Sequence, residues 1–437
     1  MKSGLYAAII CLVCLLTSNS THADIQLPAV ISSKMVLQRD AVVNIWGWAG
    51  TNKKITLKAS WLDGLVVTRS DKDGNWSFKI KTTNSKISQS IRLKTSTSEI
   101  TLDSILFGEV WFCSGQSNMA MPLVGKKGQP VHGGNLAIAK ANNPNLRLFH
   151  VEKTFSKQTF RDVRIYAPWA EATPDQVFKF SAVAYFFGQQ LQEKLDCPVG
   201  IISSASGGHP IQAWLNPKAL HTLTYNDLLT KDPLTKNLVF PGVMYNSMVH
   251  PLLQFTIKGV LWYHGETNIK DPESYKILFP AMVENWRKEW QIGEFPFYFV
   301  QIAPFRYEEE DRIQSLGNSA FFREAQLECL DLIPNSGIAI TLDLGAEDCV
   351  HPPRKKEIAD RLLLQVLNQT YGYTQLDYAS PIFDSLEIKD NGIILTFKNA
   401  ETGLYAYDEL TDFEIAGEDK IFHPATAFIV EQKRVFV

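Results

Sequence analysis

Residues 105–119 read Ile-Leu-Phe-Gly-Glu-Val-Trp-Phe-Cys-Ser-Gly-Gln-Ser-Asn-Met. The first part, Ile105–Cys113, is an apolar run with the length of a buried strand, and a polar segment with a glycine follows it directly. In an open parallel sheet, ligands bind beyond the carboxyl ends of the strands. This stretch therefore predicts a strand of such a sheet and a candidate site just after it.

Predicted strands and helices alternate from about Ile105 to Tyr373. Phe180–Leu191 carries apolar residues at helical spacing, and the apolar run Val199–Ser203 follows it. The alternation continues with strands at Thr256–Tyr263, Pro296–Ile302 and Gly337–Leu342, and with helices at Pro272–Trp290, Ser319–Leu332 and Pro353–Leu367. Repeated βα units predict an α/β domain over residues 105–375, with three αβα layers and a mainly parallel sheet between helices.

The two ends of the chain show a different pattern. Between residues 24 and 104, runs such as Ala41–Trp48 and Gly74–Ile80 alternate apolar and polar residues with period two. Short strands at this spacing predict a small β-sandwich. Similar runs, Gly392–Phe397 and Ala427–Val430, predict a second β region over residues 376–437.

The first 23 residues predict a secretory signal peptide. A short cationic start, Met1–Ser3, precedes the apolar run Gly4–Thr17, and small residues at Thr21 and Ala23 suit cleavage. The apolar run is shorter than the ~20 residues that a membrane-spanning helix needs. We therefore expect a secreted or periplasmic protein that has no membrane attachment after the signal is removed.

The composition is that of a globular protein. Of 437 residues, 45% are hydrophobic, and 43 Lys and Arg nearly balance 46 Asp and Glu, which argues against a nucleic-acid partner. Cys113, Cys197, Cys329 and Cys349 lie outside the signal and allow three pairings, and we expect buried free thiols. The oligomeric state cannot be read from the sequence.

Polar residues follow several of the predicted strands. Ser117 follows the first strand, Gly207–Gly208 the second and His264 the third, while Asp348 and His351 follow the last. The carboxyl ends of parallel strands meet at one edge of a sheet, so we expect these residues to lie near one another. A serine, paired glycines, and an aspartate three residues before a histidine predict an acyl-transfer site.

Each of these residues has a role in acyl transfer. Ser117 would be the nucleophile, His351 the base that takes its proton, and Asp348 the acid that holds the imidazole in one tautomer. Backbone N–H groups at Ser117 and Gly207–Gly208 would bind the oxyanion, because glycine lets the backbone approach a substrate closely. His264 could add a side-chain donor.

Every element also has an ordinary structural interpretation. The residues around Ser117 fit a common turn, Gly207–Gly208 fits plain turn chemistry, and Asp348–His351 fits a helix cap. His264 alone is typical of a buried histidine, and Asn268 is the alternative donor. The functional interpretation depends on four separate loops agreeing at one edge.

Ordered sequence blocks resemble those of a known family. Gly108–Met119 resembles the nucleophile block of the sialate O-acetylesterases, which belong to the SGNH/GDSL-like hydrolases. Further blocks that resemble this family are Lys34–Arg39, Trp46–Trp48, Phe180–Gly188, Tyr245–Pro251, Gly259–Tyr263 with Gly265–Glu266, Arg323–Gln326 and Asp348–Pro352. So many blocks in order are more specific than any single motif.

The resemblance implies a fold, an activity and site residues. The fold would be SGNH-hydrolase-like (flavodoxin-like), and the activity would be removal of acetyl groups from sugar hydroxyls without a metal or organic cofactor. Ser117 would be the nucleophile, His351 the base and Asp348 the acid, with Gly207 or Gly208 in the oxyanion hole.

The chain also departs from the family pattern. His264 stands where the pattern has Gln, so a side-chain donor is altered. Glu266 is a second candidate for the acid partner of the catalytic histidine, but Asp348 is favoured because the chain itself keeps it close. Asn118 and Arg323 are candidates for substrate binding, and an arginine could hold the carboxylate of a sialate.

Three alternatives stay open at the sequence level. The substrate could be an acetylated sialate, or acetyl-xylan or another acetylated polysaccharide. The protein could instead be a glycosidase that pairs Glu266 with Glu324 or Asp348. It could also be a carbohydrate-binding protein without catalytic activity.

Overall fold

In the computed structural model of the chain, the described residues are 25–223, 240–306 and 319–437. The predicted signal peptide lies outside them. The strands are β1 (Ile25–Gln26), β2 (Val36–Gln38), β3 (Val42–Ala49), β4 (Lys54–Ala59), β5 (Val66–Arg69), β6 (Asn75–Lys81), β7 (Gln89–Lys94), β8 (Glu99–Gly115), β9 (Asn143–Val151), β10 (Ile165–Ala172), β11 (Val199–Ala205), β12 (Gly259–Tyr263), β13 (Phe297–Val300), β14 (Ser336–Ala339), β15 (Ile382–Lys389), β16 (Gly392–Lys398), β17 (Leu410–Ala416), β18 (Phe422–Glu431) and β19 (Arg434–Phe436). The helices are α1 (Gly134–Lys140), α2 (Pro174–Val177), α3 (Ala182–Leu195), α4 (Pro217–Thr222), α5 (Pro272–Trp290), α6 (Ser319–Leu332) and α7 (Lys355–Gln369).

The central sheet has the strand order β10-β9-β11-β8-β12-β13-β14. Every neighbouring pair from β9 to β14 is parallel, and only the edge strand β10 is antiparallel. The predicted α/β class with a mainly parallel sheet is therefore confirmed.

Helices cover both faces of this sheet. Along β8, Val110 and Phe112 belong to one buried cluster, whereas Trp111 and Cys113 belong to another, because successive side chains of a strand point to opposite faces. Helices α5 and α6 contribute to the first cluster, and α3 and α7 to the second. Burial on both faces explains why these strands read as continuous apolar runs.

Strand β8 is longer than predicted and joins two parts of the fold. Its first half pairs antiparallel with β7 and parallel with β2, and its second half lies between β11 and β12. The predicted boundary between the N-terminal β region and the α/β domain, between residues 104 and 105, therefore falls inside one continuous strand. The N-terminal strands form two sheets, β1-β3-β6 and β5-β4-β7-β8, whose side chains, such as Ile45 and Leu93, share one buried cluster.

The C-terminal region forms its own sheet, in the order β15-β16-β19-β18-β17. All of its pairings are antiparallel. Its small core contains Ala427, Val435 and Val437. The β pattern predicted for this region is therefore present.

The helix prediction for α5 matches the structure residue for residue, and the predicted end of α6 at Leu332 matches as well. Helix α5 begins after Asp271, whose Oδ1 accepts a hydrogen bond from Ser274 N at 3.1 Å, as an N-cap residue does. The predicted strand Thr256–Tyr263 is shorter, since it begins at Gly259. Strands β9 and β10 were not predicted. Pro144 interrupts the pattern of β9, and Pro168 interrupts that of β10, where the edge position tolerates it.

All four described cysteines are free, as expected. Cys113, Cys197 and Cys329 are buried, and Cys349 is half-buried. None of the described helices is long and apolar enough to span a bilayer.

Candidate active site

Three neighbouring strands bring their loops together at the carboxyl edge of the sheet. Gly115, the last residue of β8, is in register with Ala205 at the end of β11 and with Tyr263 at the end of β12. The predicted loops after these strands are therefore adjacent. The loop with His351 follows β14, two strands further along, and must reach back across the edge.

Glycine at position 115 allows the chain to turn into the site. Its φ of +131° is a conformation that other residues rarely adopt, and a Cβ would lie 2.2 Å from Tyr263 O. The next residue, Gln116, accepts a hydrogen bond from Gly265 N at 3.0 Å through its Oε1. These contacts fix the start of the Ser117 loop against the loop after β12.

Ser117 is half-buried and lies against Gly207. A Cβ placed on Gly207 would be 2.9 Å from Ser117 Cβ, which is closer than real side chains approach. Glycine at 207 therefore gives Ser117 its space. Gly208 has a φ of +78° with open space where its Cβ would be, so the turn conformation explains this second glycine.

Asn118 connects three loops through one amide group. Its Nδ2 donates to Val350 O at 3.0 Å and to Glu266 Oε1, and its Oδ1 accepts from Lys355 Nζ. Val350 precedes His351 directly, and it is 232 residues from Asn118 in the chain. The structure thus brings the segments of Ser117 and His351 together at this edge.

The imidazole of His351 is half-buried and contacts an amide rather than a carboxylate. Its Nδ1 lies 3.1 Å from Gln129 Oε1, and since this oxygen can only accept, Nδ1 carries the proton and Nε2 is the basic nitrogen. Burial, followed by the positive charges of Lys355 and Lys126, lowers the pKa of His351 to about 4. The ring is therefore neutral at neutral pH.

The structure does not pair His351 with either predicted acid. Asp348 is exposed, and within the described residues its carboxylate makes no hydrogen bond to His351. The Oε1 of Glu266 accepts from Asn118 instead, and its Oε2 is buried without a partner in the described part of the chain. Within the same residues, Ser117 Oγ and His351 form no direct hydrogen bond.

His264 has a different environment from the one expected of an oxyanion donor. It is fully buried, and its ring stacks between Trp262 and Tyr275, with centroids 5.0 and 6.0 Å away. Its Nε2 lies 2.9 Å from His209 O, so this carbonyl takes the one proton of the neutral ring. Burial lowers the pKa of His264 to about 3. The single N–H is committed to the backbone, and the expected donor role is not what this geometry provides.

Arg323 is half-buried on α6, near the carboxyl end of β13. Its Nη1 donates to Ser319 Oγ at 3.0 Å within the same helix. Its backbone oxygen accepts from Gln301 Nε2 at 3.1 Å, and Gln301 follows β13 directly. Arg323 therefore lies near the carboxyl edge of the sheet, where the other candidate residues also lie.

Two residues of the site were missed by sequence reasoning. Gln129, which contacts the His351 ring, carries no signal because glutamine is common in loops. Lys355 does carry one: positions 355, 358, 359, 362 and 366 form the buried stripe of α7, so a lysine stands at a core position. Among the described residues, no group of three or more His, Cys, Asp or Glu side chains could hold a metal ion.

A half-buried serine hydroxyl beside a glycine backbone, with a neutral histidine in the adjoining loop, is suited to acyl transfer. Comparison with known proteins agrees. The sequence pattern of the family described as "carbohydrate esterase, sialic acid-specific acetylesterase" matches residues 108–358, more than half of the chain.

Individual relatives extend the similarity over nearly the full length. The sialate O-acetylesterase of Homo sapiens is 27% identical over 432 residues, covering 88% of this chain and 78% of that protein. The Mus musculus protein of the same name is 25% identical, covering 95% and 86%. The crystal structure of a carbohydrate acetylesterase from Xanthomonas citri has a TM-score of 0.83 and 31% identity, covering 94% of this chain and 90% of that one. The chain therefore belongs to the sialic acid-specific acetylesterase family of carbohydrate esterases and is a carboxylic ester hydrolase.

Proposed function

We propose that this chain is an exported serine O-acetylesterase that removes acetyl groups from sugar hydroxyls through Ser117 and His351. The observation that carries the proposal is the hydrogen bond from Asn118 Nδ2 to Val350 O at 3.0 Å, because it joins the residue after Ser117 to the residue before His351. Family membership supports ester hydrolysis over the alternative of a glycosidase. The helix-covered parallel sheet supports a three-layer arrangement like that of the SGNH hydrolases.

The reaction would proceed through an acetyl-enzyme. Ser117 Oγ attacks the acetyl carbonyl while His351 Nε2 accepts the hydroxyl proton. Backbone N–H groups at Ser117 and Gly207 stabilise the oxyanion of the tetrahedral intermediate. His351 then gives the proton to the departing sugar oxygen, and water, activated by the same imidazole, releases acetate.

The tautomer of His351 supports this assignment. The Gln129 amide oxygen holds the proton on Nδ1, and this leaves Nε2 free to act as the base. Asp348 stays the predicted acid partner, and to fill that role its exposed carboxylate would replace Gln129 at Nδ1. Such a replacement would stabilise the imidazolium formed during the reaction.

Acetylated sialic acid is the substrate class that we propose first, because the curated relatives are named for it. Arg323 is the candidate for holding the sialate carboxylate. Acetate release from O-acetyl sialic acid and from acetyl-xylan, measured in parallel, separates the two substrate classes.

Ser117→Ala tests the assignment of the nucleophile. Turnover of 4-nitrophenyl acetate and of O-acetyl sialic acid should fall by about 10³-fold or more, because the attacking oxygen is lost. Ser385→Ala, at an exposed position of β15, is the control and should keep wild-type turnover. Wild-type rates in a folded Ser117→Ala protein would exclude Ser117 as the nucleophile.

A further inference from the structure

A lysine is buried at the first position of helix α7, directly beneath the nucleophile loop. Lys355 has 0% of its surface exposed, and its Nζ donates to Asn118 Oδ1. The same Nζ lies 5.4 Å from the centroid of the Tyr263 ring, at a distance where a cation interacts with an aromatic face. Burying an ammonium group is costly unless it is compensated, so its presence here calls for a partner.

The compensating charge is Glu266, on the other side of the same amide. Asn118 directs its oxygen to Lys355 and its Nδ2 to Glu266 Oε1, so the amide dipole has its negative end at the ammonium and its positive end at the carboxylate. This orientation favours the charged forms of both groups. Burial lowers the pKa of Lys355 to about 7 and raises the pKa of Glu266, and the Coulomb attraction between the two groups opposes both shifts.

The position of the ammonium also fixes the orientation of the Asn118 amide. An amide can flip, exchanging its oxygen and nitrogen, unless its neighbours distinguish the two. With a donor-only lysine at Oδ1, Nδ2 must face Glu266 and Val350 O, and that second bond holds the segment before His351. Glu266 Oε1 and Val350 O accept only and select the same orientation, so Lys355 is the donor that holds the oxygen side of the amide. Without Lys355, the buried Asn118 Oδ1 loses this donor and the amide that joins the two catalytic loops is held from its nitrogen side alone.

We propose that Lys355 is a positioning residue for the esterase reaction, whose buried ammonium orients Asn118 and so holds the Ser117 and His351 loops in register. This inference rests on the proposed function, because it assigns the two loops as nucleophile and base. Lys355 itself lies behind the loop and acts only through Asn118 and through its charge.

The charge of Lys355 has a second consequence for His351. The charged groups that act on the imidazole within the described residues are Lys355, from α7, and Lys126, from the loop that carries Gln129. Both are positive and both disfavour imidazolium. In the segment of His351 itself, Cys349 Sγ donates a hydrogen bond to the backbone oxygen of His351 and not to its ring. Removing Lys355 leaves a single opposing charge.

Lys355→Met tests the proposal, since methionine has a similar length and no charge. We expect kcat for 4-nitrophenyl acetate to fall by about 10- to 100-fold with KM within about three-fold, because misplacement of reacting groups by ~1 Å costs about 10²-fold. The acid limb of the pH profile of kcat/KM should move to higher pH, since one charge that opposes protonation of His351 is gone. A defect in packing alone would not move that limb.

Lys356→Met is the matched control on the same helix. Lys356 is exposed and pairs with Asp360 at 2.9 Å, so its loss should leave both kcat and the acid limb unchanged. If Lys355→Met does not fold, the double variant Glu266→Gln with Lys355→Met removes both buried charges. The side-chain oxygen of Gln at position 266 can still accept the hydrogen bond from Asn118 Nδ2. The double variant should show the same fall in kcat and the same shift of the acid limb.

Wild-type kcat and an unmoved acid limb in a folded Lys355→Met or double variant would overturn the inference. That result would leave the proposed function intact as long as Ser117→Ala is inactive. An active Ser117→Ala protein would instead remove the proposed function, so the two failures are distinguishable.

Discussion

His264 shows how burial changes what a histidine can do. The imidazole of His264 is fully buried and stacks between Trp262 and Tyr275. Its Nδ1 is buried without a partner in the described part of the chain. Protonation would place a charge on this atom in an apolar stack, and that is why burial lowers the pKa of His264 to about 3.

This low pKa predicts a loss of stability in acid. In the unfolded chain, His264 takes up a proton near pH 6.5, whereas in the folded protein it stays neutral down to about pH 3. Its contribution is therefore present above pH 6.5 and is lost as the pH falls, on the order of 2 kcal/mol between pH 6.5 and 4.5. In His264→Gln, the free energy of unfolding in urea should fall less between pH 7 and 4.5, by about that amount.

Tyr275→Phe is the matched control for His264→Gln. It alters the same stack and keeps the imidazole, so the loss of stability between pH 7 and 4.5 should equal that of the wild type. Equal losses in His264→Gln and the wild type would show that this histidine is not the group responsible. His150 and His351, whose pKa values burial also lowers to about 4, contribute equally to both proteins in that comparison.

Helix α3 packs on the sheet through a glycine. A Cβ on Gly188 would lie 2.7 Å from Ile201 Cγ1 on β11 and 2.9 Å from Leu146 Cδ1 on β9. Alanine is preferred over glycine in a helix by about 0.5–1 kcal/mol, but overpacking a core costs about 1–3 kcal/mol. Packing therefore outweighs helix propensity at this position.

Gly188→Ala should destabilise the protein by about 1 kcal/mol, measured as the free energy of unfolding in urea. Gln189→Ala, at the next and partly exposed position of α3, should change it by less than ~0.5 kcal/mol. A Gly188→Ala protein more stable than the wild type would mean that α3 moves away from β11 at no cost.

Glu109 ties the N-terminal segment and the end of α7 to the central strand β8. Its carboxylate is buried with 3% exposure, and it accepts from Gln38 Nε2 at 3.1 Å, Arg39 Nε at 2.6 Å and Tyr371 hydroxyl at 2.9 Å. These three donors come from segments up to 262 residues away in the chain. One buried side chain thus connects regions that a domain boundary at residue 104 would separate.

Glu109→Ala should destabilise the protein by about 3 kcal/mol, because it leaves three buried or partly buried donors without an acceptor. The control is Glu401→Ala, which removes an exposed ion pair with Lys433 at 2.9 Å and should cost far less, because solvent screens such a pair. Comparing urea unfolding of the two variants checks the difference. Equal effects would mean that the carboxylate of Glu109 is replaced by water.

The sequence predicted the parallel sheet and several of its helices because their apolar residues follow different patterns. A strand buried on both faces is a continuous apolar run, whereas a helix buried on one face has apolar residues at every third or fourth position. Helix α5 was predicted to the residue, since its apolar stripe and flanking residues are strong local signals. Strands β9 and β10 were not predicted, because Pro144 and Pro168 are unfavourable in a strand. Pairing within the sheet outweighs this local preference, and both strands form.

The residues of the candidate site divide in the same way. Ser117, Gly207 and His351 could be proposed from the loops that follow predicted strands, and the structure places the loops of Ser117 and Gly207 side by side. The partner of His351 could not be proposed, because Gln129 lies 222 residues away and its loop has no distinguishing pattern. Proximity in the chain favoured Asp348, but the surrounding loops place Gln129 at the ring.

The amino-acid sequence by itself determined the class of fold and the residue types of the chemistry, since these depend on local periodicity and on which groups follow each strand. Only the tertiary structure decided which ring nitrogen of His264 bonds to the backbone and which side chain orients the ring of His351. It also placed Lys355 and Glu266 on opposite sides of the Asn118 amide. These outcomes depend on burial and on contacts between distant segments, and local sequence carries little information about either.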